Sequence, residues 1–180
     1  MRILIGGGVR SGKSAFALTL ARGLGPRRVY IATAEARDDE MAARIARHVR
    51  ERGPGYRTLE APLDAVDRLL QIQDADVVVV DCLTLWLSNL LLRGDSEEEM
   101  LREVDRLTST LEVKPYHSIV VTNEVGMGVV PDSALGRTFR DVCGRAHQAL
   151  ARSADQVYFG ALGMMLRLRP APVAAVEEGR

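Results

Sequence analysis

The chain has 180 residues with 24 basic and 24 acidic side chains, 47% apolar residues and 4% aromatic ones. That is enough for one domain whose core needs no staples, and a formal net charge of zero gives no global field to attract a nucleic acid or an anionic membrane. Cys82 and Cys143 lie far apart with no Cys-x-x-Cys pair, which speaks against a disulfide scaffold or a Cys-rich zinc site.

Only Lys13 and Lys114 among the basic residues are lysine; the rest are arginine. No run of eighteen apolar residues occurs, so no membrane-spanning segment is expected. A Gly-rich turn also comes too early for a signal peptide. The expected compartment is a reducing cytoplasm.

Taken in order, short β-branched runs alternate with segments of helical period. Ile3-Leu4-Ile5 reads as a first strand that stops at Gly6-Gly7-Gly8, and Phe16, Ala17, Leu20, Ala21 and Leu24 mark one face of a helix over Ser14–Leu24. Val29–Ala32 is a second strand. Asp38-Asp39-Glu40 opens a helix with acids at its positive end, and Met41, Ile45 and Val49, with Ala42 and Ala46, are its expected buried stripe. Gly53-Pro54-Gly55 ends it.

Thr58–Glu60 is a weaker strand, followed by a helix over Leu63–Leu70. The four valines of Asp76–Asp81 are apolar on both faces, as a central parallel strand covered on each side must be. Leu83–Leu92 reads as a buried helix, Ser96–Leu111 as an acid-opened one, and Ser118–Thr122 as the next central strand. A loop with Gly126 and Gly128 leads to a helix over Asp132–Ala151. Gln156–Phe159 and Met164–Leu168 supply late strands, and the Pro/Ala/Glu-rich end, residues 170–180, reads as a mobile tail behind a catalytic domain of residues 1–169. The alternation predicts an α/β fold with a mostly parallel central sheet and helices on both faces.

Gly7-Gly8-Val9-Arg10-Ser11-Gly12-Lys13-Ser14 fits G-x-x-x-x-G-K-[ST]. Glycines let the backbone curl so that successive N–H groups face phosphate oxygens, and the following helix adds its positive end. Lys13 is placed to reach the β- and γ-phosphates and the Ser14 hydroxyl to hold Mg²⁺. Asp81, at the end of the all-valine strand, is placed to support the same ion. A mere strand-to-helix turn is the plainer reading of the loop, but the pattern lies between an apolar strand and an amphipathic helix, which is the context it requires.

His48 lies on a helix with Arg44, Arg47, Arg50, Glu51 and Arg52. Neighbouring cations favour a neutral imidazole, whose lone pair can attack phosphorus, and arginines can hold phosphate oxygens bidentately. An Arg-rich helix is also what a solvated face looks like. His117 and His147 have no such surroundings and read as structural. Asn123 and Glu124 fall at the carboxyl edge of the sheet, where ligands bind in open α/β folds.

Several segments together resemble one family. They are Gly7–Ser14 with Arg10, Tyr30-Ile31-Ala32-Thr33, Asp39-Glu40-Met41 with Arg44-Ile45-x-x-His48, and Val121 to Pro131 (V-T-N-E-V-G-M-G-V-V-P). Phe139-Arg140-Asp141 with Gly144-Arg145 adds to them. The chain is similar over residues 2 to about 168 to the bifunctional adenosylcobinamide kinase / adenosylcobinamide-phosphate guanylyltransferases of cobalamin biosynthesis.

The resemblance implies a P-loop NTPase (RecA-like) fold and two reactions. One is phosphorylation of the corrinoid's aminopropanol hydroxyl with ATP or GTP. The other is transfer of GMP from GTP to that phosphate, giving adenosylcobinamide-GDP and pyrophosphate. It further implies a guanylylated His48, a homotrimer, and nucleotide contacts at Gly7–Ser14, Ile31, Ala32, Thr33, Val49, Arg50, Glu51, Arg52, Glu60 and Asp81. A single-activity P-loop kinase of small molecules, in which the His48 helix only clamps nucleotide, is the alternative. An oligomeric nucleic-acid-dependent ATPase fits poorly with neutral charge and few aromatics for base stacking.

Overall fold

The computed structural model describes residues 1–176. One eight-stranded sheet runs in the order β3-β2-β4-β5-β1-β6-β7-β8. Its parallel strands are β1 (Arg2–Gly7), β2 (Arg28–Ala32), β3 (Arg57–Glu60), β4 (Val77–Asp81), β5 (His117–Val121) and β6 (Gln156–Ala161). Antiparallel β7 (Met164–Arg169) and β8 (Ala174–Val176) close one edge. The helices are α1 (Lys13–Leu24), α2 (Asp39–Arg52), α3 (Ala65–Gln71), α4 (Leu83–Arg93), α5 (Glu97–Val113) and α6 (Ala134–Ser153).

The valine run of β4 shows why the sheet must be covered twice. Val78 and Val80 enter one apolar cluster with α3, α4, α5 and α6, built on Trp86, Leu87, Leu90, Leu107 and Val142. Val77 and Val79 enter a second cluster with Phe16, Ala17 and Ala21 of α1. Period-two alternation therefore sends successive valines to opposite cores. Cys82 and Cys143 are both buried free thiols.

Local chemistry sets the helix starts. Asp38 accepts the Met41 N–H at 2.7 Å and caps α2, and Ser96 and Glu99 form a reciprocal capping box on α5. Ser133 caps α6, so this helix opens at Ala134 rather than at Asp132.

Two expectations change. The stripe of α2 is not buried: Met41 and Ile45 are half-buried, Val49, Ala42 and Ala46 are exposed, and Arg52 is the one buried residue of the helix. The reason is that α2 stands over a cavity rather than on the sheet, so its apolar face lines a cleft. At the other end the sheet continues beyond Leu168, because Ala174–Val176 pair with Met165–Arg167. The rest of the expected tail, residues 177–180, lies outside the described residues.

Candidate active site

The loop between β1 and α1 is shaped by close approach. Gly7 has φ 153°, and a Cβ there would meet Gly160 O at 2.6 Å and Ser11 Oγ at 2.8 Å. Gly12 adopts a left-handed φ of 89° immediately before α1, a conformation glycine takes without steric cost. Lys13 is buried, donates from Nζ to Gly8 O at 2.9 Å and lies near Asp81. Burial lowers its pKa from the ordinary lysine value, and the nearby Asp81 opposes that shift.

Strand register brings distant residues into one row. Ala32 pairs with Glu60 on one side and with Asp81 on the other, Asp81 pairs with Val121, and Val121 with Ile5. The phosphate-type loop begins at Gly7, two residues after Ile5, and Asn123 follows Val121 by two residues. All these groups therefore meet at the carboxyl edge, where parallel strands present ligand sites.

Asp81 has a defined partner: Tyr30 Oη donates to its Oδ2 at 2.8 Å. Burial and the carboxylate push the Tyr30 pKa far above the usual phenol value, so the hydroxyl stays a donor. Thr33 is fully buried; its Oγ1 donates to Cys82 O at 2.8 Å and accepts from Cys82 N at 2.7 Å. The Thr33 side chain thus braces the turn after Asp81. Cys82 is a lining residue of the cavity, and burial first and Asp81 second push its thiol up to about 12, which keeps it a neutral thiol.

A cavity of about 670 Å³ opens between the loop, the sheet edge and α2. Val9, Lys13 and Ser14 line it from below, Ala32, Glu60, Asp81 and Asn123 from the sheet edge, and Met41, Arg44, Ile45, His48, Val49 and Arg52 from α2. Of the other residues singled out from sequence, Gly7, Gly8, Arg10, Ser11 and Gly12 form the loop's backbone behind this wall, and Ile31 is fully buried in the core. Arg50 and Glu51 lie on the outer part of α2 and are exposed.

His48 is half-buried, and its Nδ1 lies 3.7 Å from Glu51 Oε2. A carboxylate one turn on therefore faces the ring. With Nδ1 on that side, Nε2 is the ring nitrogen on the other.

Asn123 and Glu124 separate in space. Asn123 lines the cavity, whereas Glu124 accepts from Gly126 N and faces His147 Nδ1 at 3.5 Å. His147, which reads from sequence as merely structural, joins a chain of contacts. Its Nε2 is 2.8 Å from Thr122 Oγ1, Thr122 is 3.0 Å from Thr84 Oγ1, and Thr84 accepts from Asn123 N at 2.7 Å. Burial lowers the His147 pKa, with Glu124 opposing.

Sequence reasoning missed Tyr30, this threonine–histidine chain, and the burial of Arg52. Tyr30 carried a signal: a tyrosine in a covered parallel strand must find a partner for its hydroxyl.

Ser14 and Asp81 offer hard oxygen ligands to the same cavity. Mg²⁺ usually takes one or two such protein ligands and completes its shell with water and phosphates. Among the described residues no group of three or more His, Cys, Asp or Glu is arranged to hold a metal ion. No helix among them is long and apolar enough to cross a membrane.

Solved structures share the architecture at low identity. The RadB recombinase has a TM-score of 0.56 at 16% identity, covering 97% of this chain and 85% of that one. A type III secretion system ATPase has a TM-score of 0.56 at 12% identity, covering 89% and 51%. These likenesses show the α/β fold alone.

The sequence relatives go further. The bifunctional adenosylcobalamin biosynthesis protein CobP of Pseudomonas aeruginosa is 44% identical over 96% of this chain and its own full length. The corresponding protein CobU of Salmonella typhimurium is 39% identical over 94% of this chain and its full length. A family model described as cobinamide kinase / cobinamide phosphate guanyltransferase matches residues 3–168, and with the P-loop, Asp81 and His48 on one cavity, this chain belongs to that family.

Proposed function

We propose that the chain phosphorylates adenosylcobinamide with ATP or GTP and then transfers GMP from GTP to the product through a covalent guanylyl-His48. The observation that carries this reading is that His48, Lys13, Ser14 and Asp81 line a single cavity. Residues 1–169 act as one catalytic unit in it. Assembly as a homotrimer belongs to the same reading, supported by the exposed apolar loop residues Met127, Val129 and Val130.

For the kinase step, the corrinoid hydroxyl oxygen attacks the γ-phosphorus and the β–γ bridging bond breaks. Lys13 and the backbone N–H groups of Gly7–Ser14 hold the phosphate oxygens. Of the carboxylates Asp81 and Glu124, only Asp81 lies on the cavity wall.

For guanylyl transfer, His48 Nε2 attacks the α-phosphorus and pyrophosphate leaves with the bridging electron pair. Lys13 and the loop stay on the β- and γ-phosphates, where negative charge accumulates. Glu51 is placed to take the Nδ1 proton as the ring becomes a phosphoramidate. A phosphate oxygen of adenosylcobinamide phosphate then attacks the same phosphorus, the P–N bond breaks, and the imidazole is restored.

Ser14 and Asp81 would hold Mg²⁺, which when bound neutralises phosphate charge. Arg44, exposed on the cavity wall, suits phosphate oxygens or nucleotide, whereas Arg52 on the same wall is buried with its guanidinium over the Tyr30 ring.

The test is covalent labelling with GTP carrying radiolabel at its α-phosphate. Wild-type protein becomes labelled and releases pyrophosphate, His48→Ala does neither, and both still form ADP from ATP with adenosylcobinamide. Labelling that survives in His48→Ala would place the nucleophile elsewhere. Phosphoryl transfer without any pyrophosphate would leave a kinase of one activity.

A further inference from the structure

We propose that Tyr30 is a positioning residue with two arms, its hydroxyl setting the rotation of Asp81 and its ring seating Arg52 so that the His48 end of α2 lies over the cavity. This rests on the reading of His48 and Asp81 given above and extends it to Tyr30, which lines the same cavity and acts through those two neighbours.

The geometry is a continuous path. Tyr30 Oη donates to Asp81 Oδ2 at 2.8 Å, which takes one carboxylate oxygen and leaves Oδ1 for other partners. The Arg52 guanidinium carbon lies 4.1 Å from the centre of the same ring. Arg52 is 7% exposed and is the only buried residue of α2. Since the guanidinium is largely removed from water, its attraction to the ring face is stronger than at an open surface.

Arg52 and His48 are four residues apart and both line the cavity, so they share one face of α2 a turn apart. Wherever Arg52 is seated, His48 follows. The ring itself cannot drift, because it is 7% exposed within the apolar cluster of Ile5, Val77 and Val79. Tyr56 packs edge-on against it with centroids 6.2 Å apart, and the Tyr56 hydroxyl is held in turn by Leu18 O at 3.1 Å. One rigid side chain thus indexes both the acid expected to serve the metal and the helix bearing the nucleophile.

The two arms can be cut separately in the full chain. Tyr30→Phe keeps the ring and removes the hydroxyl, while Tyr30→Leu removes both. Two measurements read the result: the Mg²⁺ concentration that gives half-maximal binding of a fluorescent GTP analogue, and the single-turnover rate of α-phosphate labelling.

In Tyr30→Phe the Mg²⁺ requirement rises about tenfold, equivalent to about 1.4 kcal/mol, and the labelling rate recovers as Mg²⁺ is raised. In Tyr30→Leu labelling stays at least about tenfold slow at every Mg²⁺ concentration. Arg52→Met, which leaves the sheet intact, slows labelling likewise and covers the case in which Tyr30→Leu does not fold.

An unchanged Mg²⁺ requirement in Tyr30→Phe, or full-rate labelling in Arg52→Met, overturns the proposal. Should wild-type protein take no label, the His48 reading fails on its own. The Mg²⁺ titration of nucleotide binding does not involve His48 and still judges the Asp81 arm.

Discussion

Gly7 and Gly160, on neighbouring parallel strands, approach so closely that a Cβ on the first would stand 2.6 Å from the carbonyl oxygen of the second. The phosphate loop is therefore seated against β6 by backbone contact, with Met165 packed beneath Gly160. Gly7→Ala must push these strands apart or deform the loop. The expected cost is about 1–3 kcal/mol of stability, read by thermal melting, together with loss of nucleotide binding measured by calorimetry. Gly23, whose Cβ would meet nothing within 4 Å, is the control: Gly23→Ala leaves binding unchanged.

Glu51 faces Nδ1 of His48. Under the proposed mechanism the His48 ring sheds a proton when it is guanylylated, and Glu51→Gln keeps the shape but cannot take that proton up. The labelling rate falls about tenfold, or about 1.4 kcal/mol of barrier, while ATP-dependent phosphorylation of the corrinoid is unaffected. Equal loss in both reactions would deny Glu51 this role.

Cys82 stands on the cavity wall with its thiol pushed up to about 12. At neutral pH almost none of it is thiolate, so iodoacetamide leaves both activities intact over hours and mass analysis finds no adduct at Cys82. Rapid alkylation in the folded protein would show a thiolate in the site.

His147 carries a lowered pKa caused first by burial. Because the unfolded chain takes up this proton more readily than the folded one, unfolding is favoured as pH falls below the ordinary histidine value of about 6.5. The melting temperature should drop between about pH 6.5 and 5, before the salt-bridged Asp76 and Asp155, whose pKa values lie below the usual range, begin to protonate. His147→Gln flattens the upper part of that curve. A profile equally steep in the variant would assign the loss to other groups.

Much of this molecule was legible in its sequence because the signals are local. The phosphate loop is eight consecutive residues between a strand and a helix, and the two-faced valine run of β4 declares a covered parallel strand from its own composition. Asp38, followed by acids and an apolar period, marks the start of α2 to the residue. The α2 stripe misleads for an equally physical reason: periodicity shows that Met41, Ile45 and Val49 share a face, but not whether that face meets the sheet or a cavity. Glu124 misleads in the same way, since adjacency to Asn123 cannot show that one side chain enters the cavity and the other turns to His147.

The order of elements, the class of sheet and the phosphate-binding loop follow from the chain alone, since propensity and periodicity act over a few residues. Only the tertiary structure decided that Tyr30 meets Asp81 across 51 positions, that Arg52 is the buried anchor of an otherwise open helix, and that Thr84, Thr122 and His147 form one chain. Those contacts depend on strand order and register, and these are set by how two apolar cores close around the sheet rather than by any segment's own preference.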